Sequence, residues 1–422
     1  MTARLPRTIT EVAERQLCTG CGACAFAQPE LIRMVDDLDM GRRPVVSGVE
    51  TPGQTDPALA GCPGIALEHG PPPHGHLGDL GDAWGPVLEV WEGVAGDDDL
   101  RHAGSSGGVA SAIALHMMEH EKAHGLLHIR ARPDAPIFNE TVMSHDREEV
   151  LAATGSRYAP ASPCDRLDLI EDAPAPSVLI GKPCDVAAAE KLRSIRPRLD
   201  EKLALTVAIF CAGTPTTRGT LEMLASMGIR DPETVVALRY RGNGWPGNAV
   251  ATIRDPDGTT RTEEMTYQES WGDILQRHRQ WRCYLCADHT GEFADIAVGD
   301  PWYREIAPGE PGQSLILVRT ERGRQALERA LASGAVIAER VTPDHLPASQ
   351  PGLLRVRGSV WGRITVLRLL RIPAPRYVGL PMFGTWWRSL TLRDKLRSTF
   401  GTLRRMRRRQ LYRRHPVEPH DP

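Results

Sequence analysis

The sequence predicts an α/β fold, and three observations support that prediction. Residues 178–181 and 205–210 are short, apolar and β-branched, as buried parallel strands are. Helix-forming segments at 186–193 and 218–227 follow them, which gives the alternation of a βαβ sheet. A cysteine stands just after each of the two strands, at the edge where open α/β sheets hold their ligands.

The chain of 422 residues is interrupted by two Pro/Gly-rich connectors, near residues 69–78 and 172–177. After the first connector, a strand-like run at 87–91 leads to a glycine- and serine-rich loop and a helix at 109–120. The predicted organisation is a cysteine-rich segment at 1–70, an N-terminal α/β domain at 86–165, a C-terminal α/β domain at 177–345 and a basic tail at 361–422.

Four of the nine cysteines lie in the first segment, with the spacing of an iron–sulfur site. Cys18, Cys21 and Cys24 form a CxxCxxC triplet, and the remote Cys62 is followed by Pro63-Gly64. Three thiolates at this spacing converge on one cubane when the loop wraps around it, and a remote cysteine before proline completes bacterial ferredoxin-type sites. Zinc is the alternative, although zinc favours two CxxC pairs or pairs with histidine. A structural thiol cluster is a third interpretation. The pattern favours a ferredoxin-like 4Fe–4S segment.

A second group of four cysteines is dispersed over the C-terminal domain. Cys184 and Cys211 follow the two predicted strands, and Cys283 and Cys286 form a distant CxxC pair that could close a metal site at the sheet edge. Spacing alone does not decide between a second cluster and ordinary buried cysteines, which are among the most buried residues in proteins.

Composition predicts a cytoplasmic protein. The chain is 41% hydrophobic, its N-terminus lacks the apolar stretch of a secretory signal, and no apolar run approaches the length of a transmembrane helix. Nine cysteines without regular disulfide spacing fit a reducing compartment, in which thiolates stay free to bind metal.

The net charge of −2 hides a strongly basic C-terminus. Residues 361–422 contain fourteen Arg and one Lys against three acidic residues, so this tail carries +12 and the rest of the chain about −14. A helix is predicted over 391–409. The candidate apolar stripe of this helix comprises Leu392, Leu396, Leu403 and Met406. Two tryptophans, Trp386 and Trp387, lie just upstream of the helix.

Three interpretations of the basic tail remain open. It could be a solvated helix packed on the protein's own acidic surface, or a helix docked at an anionic membrane, here the inner membrane face. It could also contact an acidic protein or nucleic acid. Nothing else in the sequence indicates nucleic-acid recognition, since it has no helix-turn-helix signature and no aromatic residues within the basic run.

The loop Gly104-Ser105-Ser106-Gly107-Gly108 precedes the predicted helix at 109–120. Glycines permit close backbone approach, serine hydroxyls donate hydrogen bonds, and a helix start offers free N–H groups to a phosphate or diphosphate. The loop matches neither a GxGxxG nor a Walker sequence, so on its own it fits a plain helix start equally well.

Seven ordered motifs between residues 18 and 320 resemble the coenzyme F-420 hydrogenase/dehydrogenase beta subunit family, a family of deazaflavin oxidoreductases. They are the CxxCxxC with its later CPG, Ser106-Gly107-Gly108, Gly155-Ser156-Arg157-Tyr158, Gly181-Lys182-Pro183-Cys184, Cys211-Ala212-Gly213-Thr214-Pro215, Cys283-Tyr284-Leu285-Cys286, and residues 294–300.

The resemblance implies FAD and one or two 4Fe–4S clusters. It implies a mixed α/β flavin- and cluster-binding core after the ferredoxin-like segment. The ligands that it implies for a second cluster are Cys184, Cys211, Cys283 and Cys286. The cofactor-binding residues expected from the motif loops are Ser105, Ser106, Gly107, Gly108, Ser156, Arg157, Tyr158 and Lys182.

These features predict an iron–sulfur flavoprotein oxidoreductase. Electrons from ferredoxin, another one-electron donor or reduced coenzyme F-420 would pass through the clusters to FAD and an organic substrate. Coenzyme F-420 is itself a candidate cofactor. The alternatives are an electron-transfer subunit of a larger complex and a membrane-docked accessory protein of exopolysaccharide biosynthesis. Tyr158, Lys182 and His289 lie in or near the motifs, and none receives a catalytic role.

The chain departs from the family pattern in three places. It has Pro183-Cys184-Asp185 where members commonly read PCQ, Cys211-Ala212-Gly213 where they read CHG, and a Cys164 that matches no ligand position. The N-terminal triplet and the basic tail are more similar to the exopolysaccharide-associated branch. The ferredoxin-dependent chlorophyll-pathway reductases space their N-terminal cysteines differently.

Overall fold

A computed structural model of the protein describes residues 5–51, 53–307 and 309–420. The strands, in chain order, are β1 (Ile32–Asp37), β2 (Gly41–Val46), β3 (Ala66–Glu68), β4 (Glu89–Ala95), β5 (Leu126–Ala131), β6 (Asn139–Ser144), β7 (Ser177–Gly181), β8 (Leu203–Ile209), β9 (Val235–Arg239), β10 (Ala249–Arg254), β11 (Thr260–Met265), β12 (Ile296–Gly299), β13 (Ser314–Val318), β14 (Val336–Arg340) and β15 (Arg376–Val378). The helices are α1 (Ile9–Glu14), α2 (Ala23–Ala27), α3 (Asp56–Ala60), α4 (Gly78–Trp84), α5 (Asp98–Ala103), α6 (Val109–Glu121), α7 (Arg147–Ala152), α8 (Asp168–Glu171), α9 (Pro183–Arg193), α10 (Pro197–Lys202), α11 (Thr217–Ser226), α12 (Trp281–Tyr284), α13 (Glu321–Ala332), α14 (His345–Ser349), α15 (Pro351–Leu369), α16 (Phe383–Ser389) and α17 (Leu392–Arg408).

The centre of the protein is an eight-stranded mixed sheet in the order β14-β4-β13-β12-β8-β7-β5-β6. Strands β5, β7, β8 and β12 run parallel, and antiparallel strands extend the sheet on both sides. The two predicted strands are β7 and β8, which pair in parallel with Val178 opposite Leu205. The predicted mixed α/β core is therefore confirmed.

Helices cover both faces of this sheet. Val178 packs in one apolar cluster with residues of α6 and α13, and the next residue, Leu179, packs in another with residues of α9. Val178 and Leu179 point to opposite faces of the sheet and are both buried, which explains why β7 is continuously apolar and does not alternate with polar residues. The helices predicted at 109–120, 186–193 and 218–227 correspond to α6, α9 and α11.

Strands from both predicted α/β domains lie in this one sheet. The segment at 86–165 supplies β4, β5 and β6, and the segment at 177–345 supplies the other five. A separate three-stranded sheet, β11-β10-β9, packs with α11 around its own apolar cluster. In the cysteine-rich segment, β1 and β2 form a hairpin, and β3 pairs in parallel with β15 from the basic tail.

The basic tail is folded against the rest of the protein through α15, α16 and α17. Met406 of α17 is buried with Trp281 and Ile364, so it does not share an exposed stripe with Leu392, which is 73% exposed. Beyond α17 the chain contacts β1 again, where His420 forms an isolated antiparallel bridge with Asp36. Within the described ranges, no helix is both long enough and apolar enough to cross a membrane.

Candidate functional site

The first cysteine group converges in the structure. Cys18 and Cys21 lie on the loop between α1 and α2, Cys24 is in α2, and Cys62 follows α3. The pKa of the Cys24 thiol is raised well above its ordinary value, first by burial and then by the charges of Cys18, Cys21 and Cys62. The four thiols are thus close enough to influence one another.

Two glycines make the loop that carries these thiols possible. Gly20 and Gly22 have φ values of 80° and 90°, in the left-handed region that favours glycine. A Cβ on Gly22 would lie 2.6 Å from the Asp165 backbone nitrogen, so no larger residue fits there. The N–H of Gly20 donates to Cys18 Sγ at 3.3 Å, which turns a backbone donor toward sulfur.

The second cysteine group also converges, from three distant segments. Cys184 lies in the first turn of α9, Cys211 follows β8, and Cys283 and Cys286 lie in and after α12. Burial and then Cys283 raise the pKa of Cys211 to about 12. Burial is also the main cause that raises the pKa of Cys184, and the charges of Cys211 and Cys286 raise it further.

The donor sets of both groups fit a 4Fe–4S cluster, which takes four thiolates. Thr214 N–H donates to Cys283 Sγ at 3.3 Å, an N–H···S contact of the kind that tunes cluster potentials. Among the described residues no three His, Cys, Asp or Glu side chains are arranged to hold a single metal ion. A cubane binds its four thiolates on four different irons, so its ligands lie farther apart than those of one zinc ion.

A buried ion pair connects the two cysteine groups. Lys182 Nζ lies 2.7 Å from Asp185 Oδ2, and the charge of Asp185 raises the pKa of both Cys21 and Cys184. Cys164 lies beside this pair, with its N–H on Cys21 O at 2.9 Å and its Sγ on Asp185 O at 3.2 Å. Cys164 is therefore packed next to the first group without completing a set of four.

A cleft of about 280 Å³ opens at the carboxyl ends of β7, β8 and β12. This volume is near the lower end for small-molecule sites, which cover about 300–1,000 Å³. The cleft brings together most of the cofactor-binding residues predicted from the motifs, namely Ser105, Ser106, Gly108, Ser156, Arg157, Tyr158 and Lys182. Cys211 of the second cysteine group lines the same cleft.

The predicted cofactor-binding residues have different roles in the structure. Ser105 Oγ accepts the N–H of Ser156 at 2.5 Å, which ties two motif loops together. The Arg157 guanidinium donates to Asn139 Oδ1 and to backbone carbonyls such as Leu238 O, so it holds loops in place. Tyr158 packs on Trp271, with ring centroids 4.7 Å apart.

Gly107, also predicted to bind the cofactor, is not among the residues that line the cleft. A Cβ on Gly107 would lie 2.7 Å from Gly93 O and 2.8 Å from the Ser314 nitrogen, inside the contact between the loop and the central sheet. The glycine is required by this backbone approach, and a side chain there would displace the loop before reaching any cofactor.

One wall of the cleft was not predicted from the sequence. Arg241 donates two hydrogen bonds to Asp300, at 2.6 and 2.9 Å, and its guanidinium lies 5.0 Å from the Tyr267 ring centroid and 5.3 Å from that of Trp302. Burial opposes the charge of Arg241, but Asp300 raises the pKa of Arg241 above its ordinary value. With Trp271, these side chains offer flat faces on which a planar ring can stack.

His289, which lies near the motifs, belongs to the second cysteine group's surroundings. Its Nδ1 is 2.8 Å from Cys211 O, and burial lowers its pKa to about 4. The histidine is thus neutral at physiological pH and supports the backbone that carries Cys211.

Two family models match the chain in consecutive segments. The N-terminal model of the coenzyme F420 hydrogenase/dehydrogenase beta subunit matches residues 90–167, and the C-terminal model matches residues 177–344. Together they cover more than half of the chain, and they contain the second cysteine group and most of the residues that line the cleft. The chain belongs to the coenzyme F420 hydrogenase/dehydrogenase beta subunit family.

Individual relatives are distant. The chain is 26% identical to 7-hydroxymethyl chlorophyll a reductase from Oryza sativa subsp. japonica over 231 residues, which is 52% of this chain and 45% of that protein. It is 22% identical to an uncharacterized protein of Methanocaldococcus jannaschii over 355 residues, 77% of this chain and 90% of the other. The chain thus spans less than half the length of the rice enzyme.

A solved structure with a similar chain is that of the F420-reducing NiFe hydrogenase complex from Methanosarcina barkeri. The similarity has a TM-score of 0.49 and 18% sequence identity, over 69% of this chain and 96% of the other.

Proposed function

We propose that this protein is an iron–sulfur flavoprotein oxidoreductase, with FAD in the cleft and a 4Fe–4S cluster on each cysteine group. The observation that carries the proposal is the position of Cys211, which belongs to the second cysteine group and also lines the cleft. Clusters carry one electron at a time and a flavin accepts one or two, so the bound groups would join a one-electron donor to a two-electron substrate.

The residues around the cleft are suited to the two ends of FAD. Gly108, Val109 and Ala110 begin the thirteen-residue helix α6 at the cleft, so free N–H groups there favour a diphosphate. The hydroxyls of Ser105 and Ser111 line the same end. The aromatic wall formed by Tyr267, Trp271 and Trp302 is suited to a planar ring system.

A one-electron donor such as ferredoxin, or reduced coenzyme F-420, is the proposed source of electrons. Family membership supports the deazaflavin, and the similarity to a chlorophyll a reductase from rice supports flow toward an organic substrate. Assignment to the exopolysaccharide-associated branch rests on the N-terminal cysteine triplet and the basic tail. The family description as a beta subunit favours the second candidate, an electron-transfer subunit of a larger complex.

Anaerobic purification tests this proposal directly. The protein should contain iron, acid-labile sulfide and FAD, and reduced ferredoxin or reduced coenzyme F-420 should bleach its visible absorbance. Turnover of an organic acceptor by the isolated chain would support the enzyme. Reduction without turnover, together with co-purification of a stable partner, would support the electron-transfer subunit. Stoichiometric zinc with no flavin would contradict both.

A further inference from the structure

The C-terminal helix α17 presents three distinct faces. Its inner face consists of Ser398, Thr402 and Met406, all at most 8% exposed, and it packs on α15. Trp386 Nε1 donates to Ser398 Oγ at 3.0 Å, and a Cβ on Gly362 of α15 would lie 2.4 Å from the same oxygen. This close packing fixes the rotation of α17 and so decides which side chains point outward.

From Leu392 to Leu403 the outer face of α17 is apolar and exposed, and the exposed Arg407 follows on the same side of the helix. Leu392 is 73% exposed, Leu396 48%, Phe400 66% and Leu403 37%. At about 100° per residue these four side chains fall within a sector of roughly 80°. Trp387, at the end of α16, is 61% exposed and adds an aromatic ring just before this face. Singly exposed apolar residues are ordinary, but a contiguous group of this size marks an interaction surface.

The third face of α17 is basic. Arg393, Arg397, Arg404 and Arg408 are all exposed. They occupy the roughly 60° of the helix that adjoins the apolar sector. Among the residues that the structure describes, the salt bridges of the tail are made by other residues, including Arg388 with Asp82 and Arg414 with Glu14. The four arginines therefore flank the apolar face with positive charge that points toward solvent.

We propose that the outer face of α17 docks on an anionic lipid bilayer. A helix that lies in the membrane interface inserts leucine and aromatic side chains at the acyl boundary and holds its basic side chains at the headgroups, which is the arrangement found here. Exposed arginines match the negative charge of such a surface. An acidic protein would be matched by the arginines as well, but it would leave the apolar sector unexplained.

The inner face explains why the surface is rigid. Two contacts beyond the end of α17 also hold the tail. Arg409 donates to Arg279 O at 3.0 Å, and the N–H of Glu418 donates to Asp37 Oδ2 at 3.0 Å. The alternative of a solvated helix packed on the protein's own surface accounts for this inner face only. Truncation before Trp386 would also remove Met406 and uncover Trp281 and Ile364, so point substitutions are the better test.

Co-sedimentation of the full-length protein with vesicles tests the proposal. Vesicles of phosphatidylcholine and phosphatidylglycerol should bind it at low salt, and the bound fraction should fall severalfold at about 150 mM salt, where the screening length is roughly 8 Å. Phe400→Glu should reduce binding by about tenfold or more, because it places a carboxylate in the apolar sector. Ile337→Glu is the matched control, since Ile337 is 62% exposed on β14, away from the tail.

Charge-reversal variants test the contribution of the arginines. Arg397→Glu with Arg404→Glu should weaken binding to the anionic vesicles, whereas Arg254→Glu, on an exposed position of β10, should not. Iron content and visible absorbance should stay unchanged in all variants, which separates lipid binding from the redox function. The proposal is overturned if full-length protein ignores anionic vesicles at low salt or if Phe400→Glu binds like the wild type. Capture of an acidic protein through the arginines, with Phe400→Glu unaffected, would assign the face to that partner instead.

Discussion

Lys182 Nζ lies 2.7 Å from Asp185 Oδ2, and this buried pair adjoins both cysteine groups and the cleft. Asp185 also accepts the Lys182 N–H at 2.9 Å and so caps α9. Burial opposes the charge on Lys182, but Asp185 raises the pKa of Lys182 above its ordinary value.

Removal of one member of this pair should destabilise the protein strongly. Lys182→Met leaves the Asp185 carboxylate buried without its counter-charge, which costs about 3–5 kcal/mol. The double variant Lys182→Met with Asp185→Asn should recover most of that loss, since it removes the unpaired charge and keeps a capping group. The measurement is the free energy of unfolding in denaturant under anaerobic conditions.

An exposed ion pair provides the matched control. Arg198 and Asp172 are 62% and 66% exposed, so Arg198→Met should cost at most about 1 kcal/mol. Equal losses for Lys182→Met and Arg198→Met would show that the buried pair contributes nothing special.

Substitution of single cysteines should separate ligands from neighbours. The protein should hold about eight irons per chain, four for each cluster. Cys62→Ala should lower the iron content by about half, because it removes the remote ligand of the first group. Cys164→Ala should leave it intact, since Cys164 packs beside Cys21 through backbone contacts. Iron near four in the wild type would remove the second cluster from the proposal.

Local sequence patterns were sufficient to predict two of the central strands, β7 and β8, and the helices α6, α9 and α11. Strands β7 and β8 have continuous apolar runs because both of their neighbouring layers are helical. The motif loops meet in one cleft for a related reason. Loops that follow parallel strands emerge at the same edge of the sheet.

The cleft wall around Arg241 and the buried face of α17 depend on contacts between distant segments. Arg241 and Tyr267 flank the three-stranded sheet β11-β10-β9, and Trp302 follows β12, so no local pattern brings them together. Asp300 ends a recognised motif, and this was the one signal available for that wall. Met406 was assigned to the wrong face because the buried side of α17 is lined by Ser398 and Thr402, small polar residues that allow close approach to α15.

A bulky substitution inside the cleft should exclude the flavin. Ala110 lies in the first turn of α6 and lines the cleft, so Ala110→Phe would place a ring where the cofactor is proposed to bind. FAD released on denaturation should fall well below one per chain, while the iron content stays unchanged. Ala110→Ser is the control, because it keeps the small volume. Gly107→Val is a poorer test, since its side chain would collide with Gly93 and Ser314 in the sheet.

Full flavin occupancy in Ala110→Phe would move the binding site away from this cleft. Loss of both flavin and iron would mean that the substitution disturbs the fold.

Acidification should destabilise the protein through His128, which is buried on β5. Its Nε2 lies 2.7 Å from Ser144 Oγ, and burial, with a further contribution from Arg130, lowers its pKa from 6.5 to about 4. The unfolded chain therefore takes up a proton on this histidine before the folded protein does. The stability contributed by neutral His128 is complete above about pH 6.5 and is lost progressively as the pH falls toward 4. The loss amounts to about 3 kcal/mol, at about 1.4 kcal/mol per pKa unit.

The expected result is a pH dependence that His128→Gln reduces. Glutamine keeps a polar partner for Ser144 but does not titrate, so the free energy of unfolding should fall less between pH 6.5 and 4.5 than in the wild type. His69 and His289 also have pKa values lowered to about 4 by burial, so part of the slope should remain. Denaturant unfolding at a series of pH values measures the dependence of the unfolding free energy on pH. The same dependence in the wild type and in His128→Gln would show that His128 is already protonated in the folded protein or titrates alike in the folded and unfolded states.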